Sequence, residues 1–171
     1  LSLLSTGGRI IEQCLGLAGE ELPLVLGASF SWYAQGAYPH QLPEEVTNRR
    51  HKNYREATPE ELAGVRIIET LRYVMKSAEA AEFGTIDYID VTDDLSTSIL
   101  WDKRVLIRLG TELELERKLR FARAIIDGEL EEDFTGVLDV SVLPKNDRAY
   151  TGEAKVEEFI HPFYLEHYYK Y

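Results

Sequence analysis

Residues 105–141 of the chain read VLIRLGTELELERKLRFARAIIDGELEEDFTGVLDVS, and this stretch decides the fold. Its first residues alternate between two faces up to Gly110, which predicts a β-strand. Leucine, alanine and isoleucine then recur at helical spacing, which predicts a helix over roughly Glu112 to Glu132. After Gly136 the segment GVLDVSV predicts another strand. The stretch is therefore a strand, a helix and a strand.

The charged residues of this stretch lie off the apolar stripes. In the first strand Arg104 and Arg108 share the face opposite to Val105, Ile107 and Leu109. The middle of the helix carries four cations, Arg117, Lys118, Arg120 and Arg123. We expect these charges to be solvated surface rather than a reacting constellation.

A second helix upstream is indicated by the residues at its start. Thr58 is placed as the N-cap, Pro59 at the first helical position, and Glu61 where it closes a capping box. An apolar stripe follows, and the predicted helix ends near Phe83-Gly84. Beyond it the period changes to two, and TIDYIDV, TSILW and RVLIRLG predict three strands, the last two joined by a tight turn at Asp102-Lys103.

The two ends of the chain complete the order of elements. Apolar runs on both sides of Gly7-Gly8 predict an opening β-hairpin, and RAYTGEAKVEEFI predicts one or two further strands after a turn at PKND. The order ββ, helix, βββ, helix, ββ predicts an α+β fold with a mixed, mostly antiparallel β-sheet and two main helices packed on one face. We find no internal repeat and no repeated βαβ pattern, which argues against a doubly wound sheet. Residues 28–57 form a long irregular connection.

Length and charge limit the classes of function. With 171 residues, 44% of them hydrophobic, the chain is long enough for one globular domain with a buried core. Its net charge of −11 argues against nucleic acid or an anionic membrane surface as a partner. The single cysteine, Cys14, excludes an internal disulfide and a site of several cysteines. No apolar run reaches the roughly 18 residues that a membrane span requires.

Candidate catalytic or metal-binding groups are few. Four aspartates surround the end of one predicted strand: Asp87, Asp90, Asp93 and Asp94. They offer oxygen ligands for calcium or a carboxylate pair, but their spacing fits neither pattern and we expect ordinary turns. The four histidines are His40, His51, His161 and His167. Their spacing fits no zinc site, and the chain has no nucleophile elbow or phosphate-binding loop. We therefore expect no catalytic, cofactor-binding or metal residues, and no enzyme.

Two segments are candidates for binding. NRRHKNYR, residues 48–55, is the one concentration of basic residues in this acidic chain, and it is either a contact for an anionic polymer or a solvated loop. The tail FIHPFYLEHYYKY, residues 159–171, is rich in aromatic side chains. These side chains either stack on sugars or a partner, or pack back on the domain.

The order of the motifs resembles the extracytoplasmic β-domain of the bacterial cell-division family FtsQ, which is called DivIB in Gram-positive bacteria. The resemblance rests on five segments: LPLVLG at 22–27, the IDYIDV strand, the hairpin that ends in VLIRLG, the Lys118-Leu119 pair of the following helix, and GVLDVS at 136–141. The resemblance covers about residues 1–153 and leaves the C-terminal aromatic tail, residues 154–171, as a segment that is either packed or partner-facing.

The resemblance implies a function and a location. Members of this family are single-pass proteins of the cell membrane at the division septum, and they act as scaffolds without a cofactor. They bind FtsL/FtsB(DivIC)-like division proteins and link them to septal peptidoglycan synthesis. A membrane anchor and a polypeptide-transport-associated domain would then precede Leu1, and the present domain would lie outside the membrane.

The resemblance also implies a site. In the family, the partner adds a strand to the edge of the sheet near the C-terminal end of the domain. Carried onto this chain, that edge falls on RAYTGE, and the expected partner-binding residues are Arg148, Ala149, Tyr150 and Thr151, with Tyr150 as the aromatic anchor. The alternative function is a cell-wall-binding module that uses the tail aromatics and the basic run on glycan or an anionic polymer.

Overall fold

The computed structural model describes residues 2–4, 10–13, 23–27, 42–143, 148–160, 162 and 165. The strands are β1 (Ser2–Leu4), β2 (Ile10–Gln13), β3 (Leu24–Leu26), β4 (Ile86–Asp90), β5 (Thr97–Trp101), β6 (Val105–Gly110), β7 (Gly136–Asp139) and β8 (Tyr150–Glu153). The helices are α1 (Glu44–Thr47), α2 (Pro59–Ala80) and α3 (Leu115–Gly128), and a 3-10 turn spans Val156–Glu158.

The strands form two sheets. β1 and β2 pair antiparallel, which confirms the predicted opening hairpin. The other six strands form one sheet in the order β3-β4-β5-β6-β7-β8. The pairs β4–β5, β5–β6 and β7–β8 are antiparallel, whereas β3–β4 and β6–β7 are parallel. The α+β prediction of a mixed, mostly antiparallel sheet with two main helices is confirmed.

The prediction that the chain holds no repeated βαβ pattern is wrong. The first unit is β3-α2-β4 followed by the antiparallel β5, and the second is β6-α3-β7 followed by the antiparallel β8. The two units share their topology, so the large sheet contains an internal structural repeat. Sequence periodicity missed it because the parallel pairing of two strands is a non-local contact that no local pattern records. The antiparallel β5–β6 junction still distinguishes the sheet from a doubly wound one.

Both units end their parallel strand with the same turn. Asp90 at the end of β4 accepts a hydrogen bond from the backbone N–H of Thr92 at 2.9 Å. Asp139 at the end of β7 accepts one from the N–H of Ser141, also at 2.9 Å. In such an Asx turn the aspartate carboxylate accepts a hydrogen bond from the backbone N–H two residues later. Because both strands end in this turn, the segments IDVT and LDVS are alike.

The sheet has two faces with different covers. The main core lies between the sheet and the two long helices, with Leu71 and Val74 from α2, Leu119 and Ile126 from α3, and Ile107 from β6 among its buried residues. A smaller cluster lies on the other face. It consists of Tyr88, Leu100 and Leu106 from the strands and of Val156 and Ile160 from the C-terminal tail, and it is buried.

The start of α2 confirms the capping box. The backbone N–H of Glu61 donates to the hydroxyl of Thr58 at 3.2 Å, and the N–H of Thr58 donates to the Glu61 carboxylate at 2.9 Å. The predicted bounds of the downstream helix, Glu112 to Glu132, are wrong by about a turn at each end, since α3 spans Leu115–Gly128. At its start Glu114 takes a left-handed backbone conformation with φ +55°. Of the one or two strands predicted for RAYTGEAKVEEFI, residues 148–160, the structure has one, β8, and a 3-10 turn follows it at Val156–Glu158.

Lys118 contradicts the prediction that all the helix cations are solvated. It has no exposed surface, and its Nζ donates to the backbone oxygens of Leu109 at 2.7 Å and Thr111 at 2.8 Å. Burial lowers the pKa of this ammonium group from its ordinary value. The side chain thus ties α3 to the end of β6 and to the residue that follows it.

Arg104 and Arg123 are also more enclosed than expected. The Arg104 guanidinium lies 4.8 Å from the centre of the Trp101 ring and donates to the carbonyl of Phe134 at 2.9 Å. Arg123 lies 5.9 Å from the same ring. The tryptophan therefore holds two cations by cation–π contacts, while Arg108, Arg117 and Arg120 are exposed as predicted.

Candidate functional site

The edge strand β8 is the most exposed strand of the large sheet. All four of its residues, Tyr150 to Glu153, are exposed, whereas β5 and β6 in the middle of the sheet are mainly buried. β8 pairs with β7 on one side, and in the part of the chain that the structure describes no strand pairs with its other side. One row of backbone hydrogen-bonding groups is therefore open.

The alternation of the backbone identifies the open groups. Ala154, directly after β8, donates its N–H to Thr135 at 3.3 Å, so the backbone of residue 154 faces β7. Since successive residues of a strand face opposite sides, Tyr150 and Gly152 also face β7, opposite Asp139 and Val137. The N–H and C=O groups of Thr151 and Glu153 then point away from the sheet.

A polar and aromatic row leads from the interior of the sheet to this edge. Arg108 of β6 is the cross-strand partner of Asp139 of β7, which is the partner of Tyr150 of β8. The Arg108 guanidinium lies 5.4 Å from the centre of the Phe159 ring. Tyr150 is 59% exposed and Phe159 is 45% exposed. Tyr150 therefore lies at the edge itself, whereas Phe159 lies two strands further in, over Arg108 of β6, on the face that carries the tail.

Asp139 is held by the turn that follows it. Its Oδ1 accepts from the Ser141 hydroxyl at 2.6 Å in addition to the Ser141 N–H. The next residue, Val140, donates its N–H to the carbonyl of Arg108 at 3.0 Å. These contacts hold the Asp139 carboxylate against Ser141 at the end of β7, in the strand between Arg108 and Tyr150.

The described part of the C-terminal tail lies over the face of the sheet and leaves the β8 edge uncovered. After β8 the chain turns back, so that Val156 and Ile160 are buried against Tyr88, Leu100 and Leu106, with Leu165 packed at the margin. This packing supplies the second cover that a six-stranded sheet with helices on only one face requires. The other tail aromatics beyond residue 160 lie outside the described residues.

The four expected site residues fall in different environments. Tyr150 and Thr151 belong to β8, whereas Arg148 and Ala149 precede it. Arg148 is exposed, and Ala149 packs against the main core. The contact between Arg108 and Phe159 could not be predicted from the sequence, because it depends on the turn that brings the tail back over β6.

The aspartate cluster is used in structural contacts. Asp87 accepts from the N–H of Lys103 at 2.8 Å and supports the β5–β6 turn, and burial raises the pKa of this carboxyl. Asp93 accepts from the N–H of Leu95 at 2.9 Å, and Asp94 pairs with Arg66 of α2 at 3.1 Å. These contacts support the expectation of ordinary turns.

Most of the remaining chemical candidates lie outside the described residues. Of the four histidines only His51 lies within the described residues, where its Nδ1 accepts from the N–H of Asn53 at 3.3 Å. His40, His161, His167 and Cys14 lie outside them. Across the described residues no group of three or more histidine, cysteine, aspartate or glutamate side chains is placed to hold a metal ion. Nor does any described helix combine the length and apolarity that a membrane crossing requires.

Comparisons of the chain with protein-family models, curated proteins and solved structures give no match.

Proposed function

We propose that this domain is a non-enzymatic scaffold of the bacterial division machinery that binds an FtsL/FtsB(DivIC)-like partner by strand addition at β8. The observation that carries the proposal is the edge strand β8, which has no strand partner on its outer side among the described residues and carries the exposed Tyr150. The resemblance to FtsQ/DivIB supplies the identity of the partner. On the same proposal the domain lies outside the cell membrane at the septum, and an anchor precedes it.

Strand addition suits this edge for two reasons. The outward N–H and C=O groups of Thr151 and Glu153 supply main-chain affinity without requiring a particular partner sequence. Tyr150, which is exposed on β8, supplies the apolar contact that distinguishes one partner from another. An unprotected edge is an aggregation hazard in a free protein, so an exposed aromatic edge fits a strand that is covered in its complex.

The internal repeat gives the direction of the added strand. In the first unit the strand beyond β5 is β6, and it runs antiparallel to β5. β8 has the place in the second unit that β5 has in the first. A partner strand in the position of β6 would therefore run antiparallel to β8.

The test is a titration of the chain with a purified FtsL/FtsB-like extracytoplasmic heterodimer, followed by hydrogen exchange at single amides. We expect new protection at the N–H groups of Thr151 and Glu153, because these alone point outward. The amides of Tyr150 and Gly152 should change little, since β7 already pairs with them. Saturable binding with new protection elsewhere would reject this edge, and no binding would reject the scaffold function.

Two variants separate main-chain from side-chain contributions. Thr151→Pro removes one outward N–H while leaving the groups that face β7, and it should abolish strand addition. Tyr150→Ala should weaken binding by about tenfold or more, since an aromatic anchor contributes about 2 kcal/mol or more. The control is Tyr73→Ala, because Tyr73 is 41% exposed on α2, away from β8. Equal losses in the two tyrosine variants would contradict the assignment of Tyr150.

A further inference from the structure

The connection between β3 and α2 carries a concentration of positive charge that the proposed scaffold function does not use. We call residues 48–55 the basic turn. Its cations are Arg49, Arg50, Lys52 and Arg55. Arg55 is paired with Glu61 at 2.6 Å, whereas the other three side chains are exposed and form no ion pair with any described residue.

The backbone of the basic turn is held in place. The N–H of Arg50 donates to the Asn48 side chain at 3.0 Å, and the N–H of His51 donates to the Asn48 carbonyl at 2.9 Å. The N–H of Tyr54 then donates to the His51 carbonyl at 3.0 Å. The three free cations therefore project from a fixed base, which reduces the entropy lost when a ligand orders them.

The nearest acids do not neutralise these cations by contact. Glu44 accepts a hydrogen bond from the Asn48 amide at 3.1 Å, and Glu61 is occupied by Arg55. Glu45 and Glu56 flank the turn, and in the part of the chain that the structure describes neither forms an ion pair with the three cations. The positive charge at 49, 50 and 52 is thus available to an external anion.

The surface of the turn decides between kinds of partner. A stable protein interface needs a buried apolar core, and Tyr54, at 41% exposed, is the one large hydrophobic side chain on the turn. A polyanion needs no such core, because clustered cations bind it by releasing counterions. Arginine also matches phosphate oxygens with two parallel hydrogen bonds.

We propose that the basic turn binds a soluble anionic polymer with repeated phosphate groups, through Arg49, Arg50 and Lys52. The net charge of −11 opposes binding of such a polymer to the chain as a whole, so the attraction has to come from the cations of this turn. The site belongs to the first βαβ unit, whereas β8 belongs to the second. The two surfaces are therefore independent, and neither proposal requires the other.

The test uses long-chain inorganic polyphosphate as the probe and measures its affinity for the full chain over a series of salt concentrations. The variant is Arg49→Gln, Arg50→Gln, Lys52→Gln. We expect it to lose about tenfold or more in affinity, and the slope of log affinity against log salt to fall by about one for each removed cation.

The matched control is Arg72→Gln, Lys76→Gln, Lys155→Gln, which removes the same number of exposed cations from elsewhere on the chain. It should bind polyphosphate as the parent chain does. Equal losses in both variants would show a net-charge effect and overturn the site, as would no binding by the parent chain. Helix content measured for both variants shows that they are folded.

Two further probes separate the sources of negative charge. Polyglutamate of similar length should bind more weakly, because its charges are spaced further apart along the chain than those of polyphosphate, so that fewer counterions are released on binding. Equal binding of polyglutamate would overturn the choice of phosphate. Vesicles with phosphatidylglycerol should not bind more tightly than soluble polyphosphate, and the reverse order would assign the turn to a membrane surface instead.

Discussion

The two βαβ units of the large sheet have the same topology but different surroundings. In the first unit the strand after the parallel pair, β5, has β6 as its next neighbour and is mostly buried. In the second unit the equivalent strand, β8, is exposed along its whole length and has no described neighbour on its outer side. The same arrangement thus produces an interior strand in one unit and an open edge in the other. We infer that the edge is the point at which the sheet can be extended by another chain.

The largest expected effect on stability comes from truncating a buried side chain at equivalent positions of the two units. Ile89 of β4 and Leu138 of β7 each precede the aspartate that ends their strand, and both are fully buried. We expect Ile89→Ala to lower the free energy of unfolding by about 4 kcal/mol and Leu138→Ala by about 3 kcal/mol, within the usual range for such cavities. Chemical denaturation measures both values.

The difference follows from the neighbours of each side chain. Ile89 lies between Val25 of β3 and Ile99 of β5, whereas Leu138 lies between Ile107 of β6 and the exposed Thr151 of β8. A cavity beside an edge strand can shrink by movement of that strand. A larger loss for Leu138→Ala would contradict the view that β8 is the less constrained member of the repeat.

Much of this fold follows from periodicity, and the unforeseen parts are non-local. The alternation in TSILW predicts the bounds of β5 as the structure has them, and the capping residues place the start of α2. Nothing local to Lys118 indicates that its ammonium group is buried, because two carbonyls from the end of β6 and the loop after it provide the acceptors. The contact of Phe159 with Arg108 has the same origin, since a reversal of the tail creates it.

The second prediction concerns Lys118, a buried lysine of α3. The corresponding helix α2 has no buried cation. Lys118→Met keeps most of the side-chain volume but leaves the carbonyls of Leu109 and Thr111 without their donor. An unsatisfied buried polar group costs about 1–3 kcal/mol, so we expect a loss of about 3 kcal/mol in the free energy of unfolding.

The control for Lys118 is Lys76→Met on α2, where the lysine is exposed and the expected change is within about 0.5 kcal/mol.

The loss in the free energy of unfolding caused by Lys118→Met should be smaller at acidic and neutral pH than at alkaline pH. The reason is that burial lowers the pKa of the ammonium group, so its charge opposes folding below the folded-state pKa. Equal effects of the two lysine variants would show that the two carbonyls find other donors.

The third prediction contrasts the amides of the two equivalent strands in the free protein. β5 has a paired strand on each side, so its amides should all exchange slowly with solvent. In β8 the amides of Tyr150 and Gly152 should be protected, whereas those of Thr151 and Glu153 should exchange at rates close to those of an exposed loop. Uniform protection across β8 would mean that its outer side is already covered in the free chain.

The smallest effect concerns the starts of the two long helices. α2 begins with a capping box, and Glu61 there has its pKa lowered to about 2, first because the Arg55 side chain donates to it and then because the Thr58 N–H does. The N-cap residue of α3 is Glu114, and its side chain makes no capping hydrogen bond. The stabilisation that Glu61 gives is fully present above about 4.5, the ordinary value for this carboxyl, and is lost as the pH falls through the folded-state pKa near 2. Between these values the first turn of α2 should loosen while that of α3 does not.

Carbon chemical shifts of the Glu61 carboxyl across this pH range measure the pKa directly. Arg55→Gln removes the largest cause of the shift, so the pKa of Glu61 in that variant should rise towards 4.5, with the part due to the Thr58 N–H remaining. If Glu61 already titrates near 4.5 in the parent chain, the capping box is not closed in solution. The acid dependence would then cease to distinguish the two units, and their difference would rest on the edge strand alone.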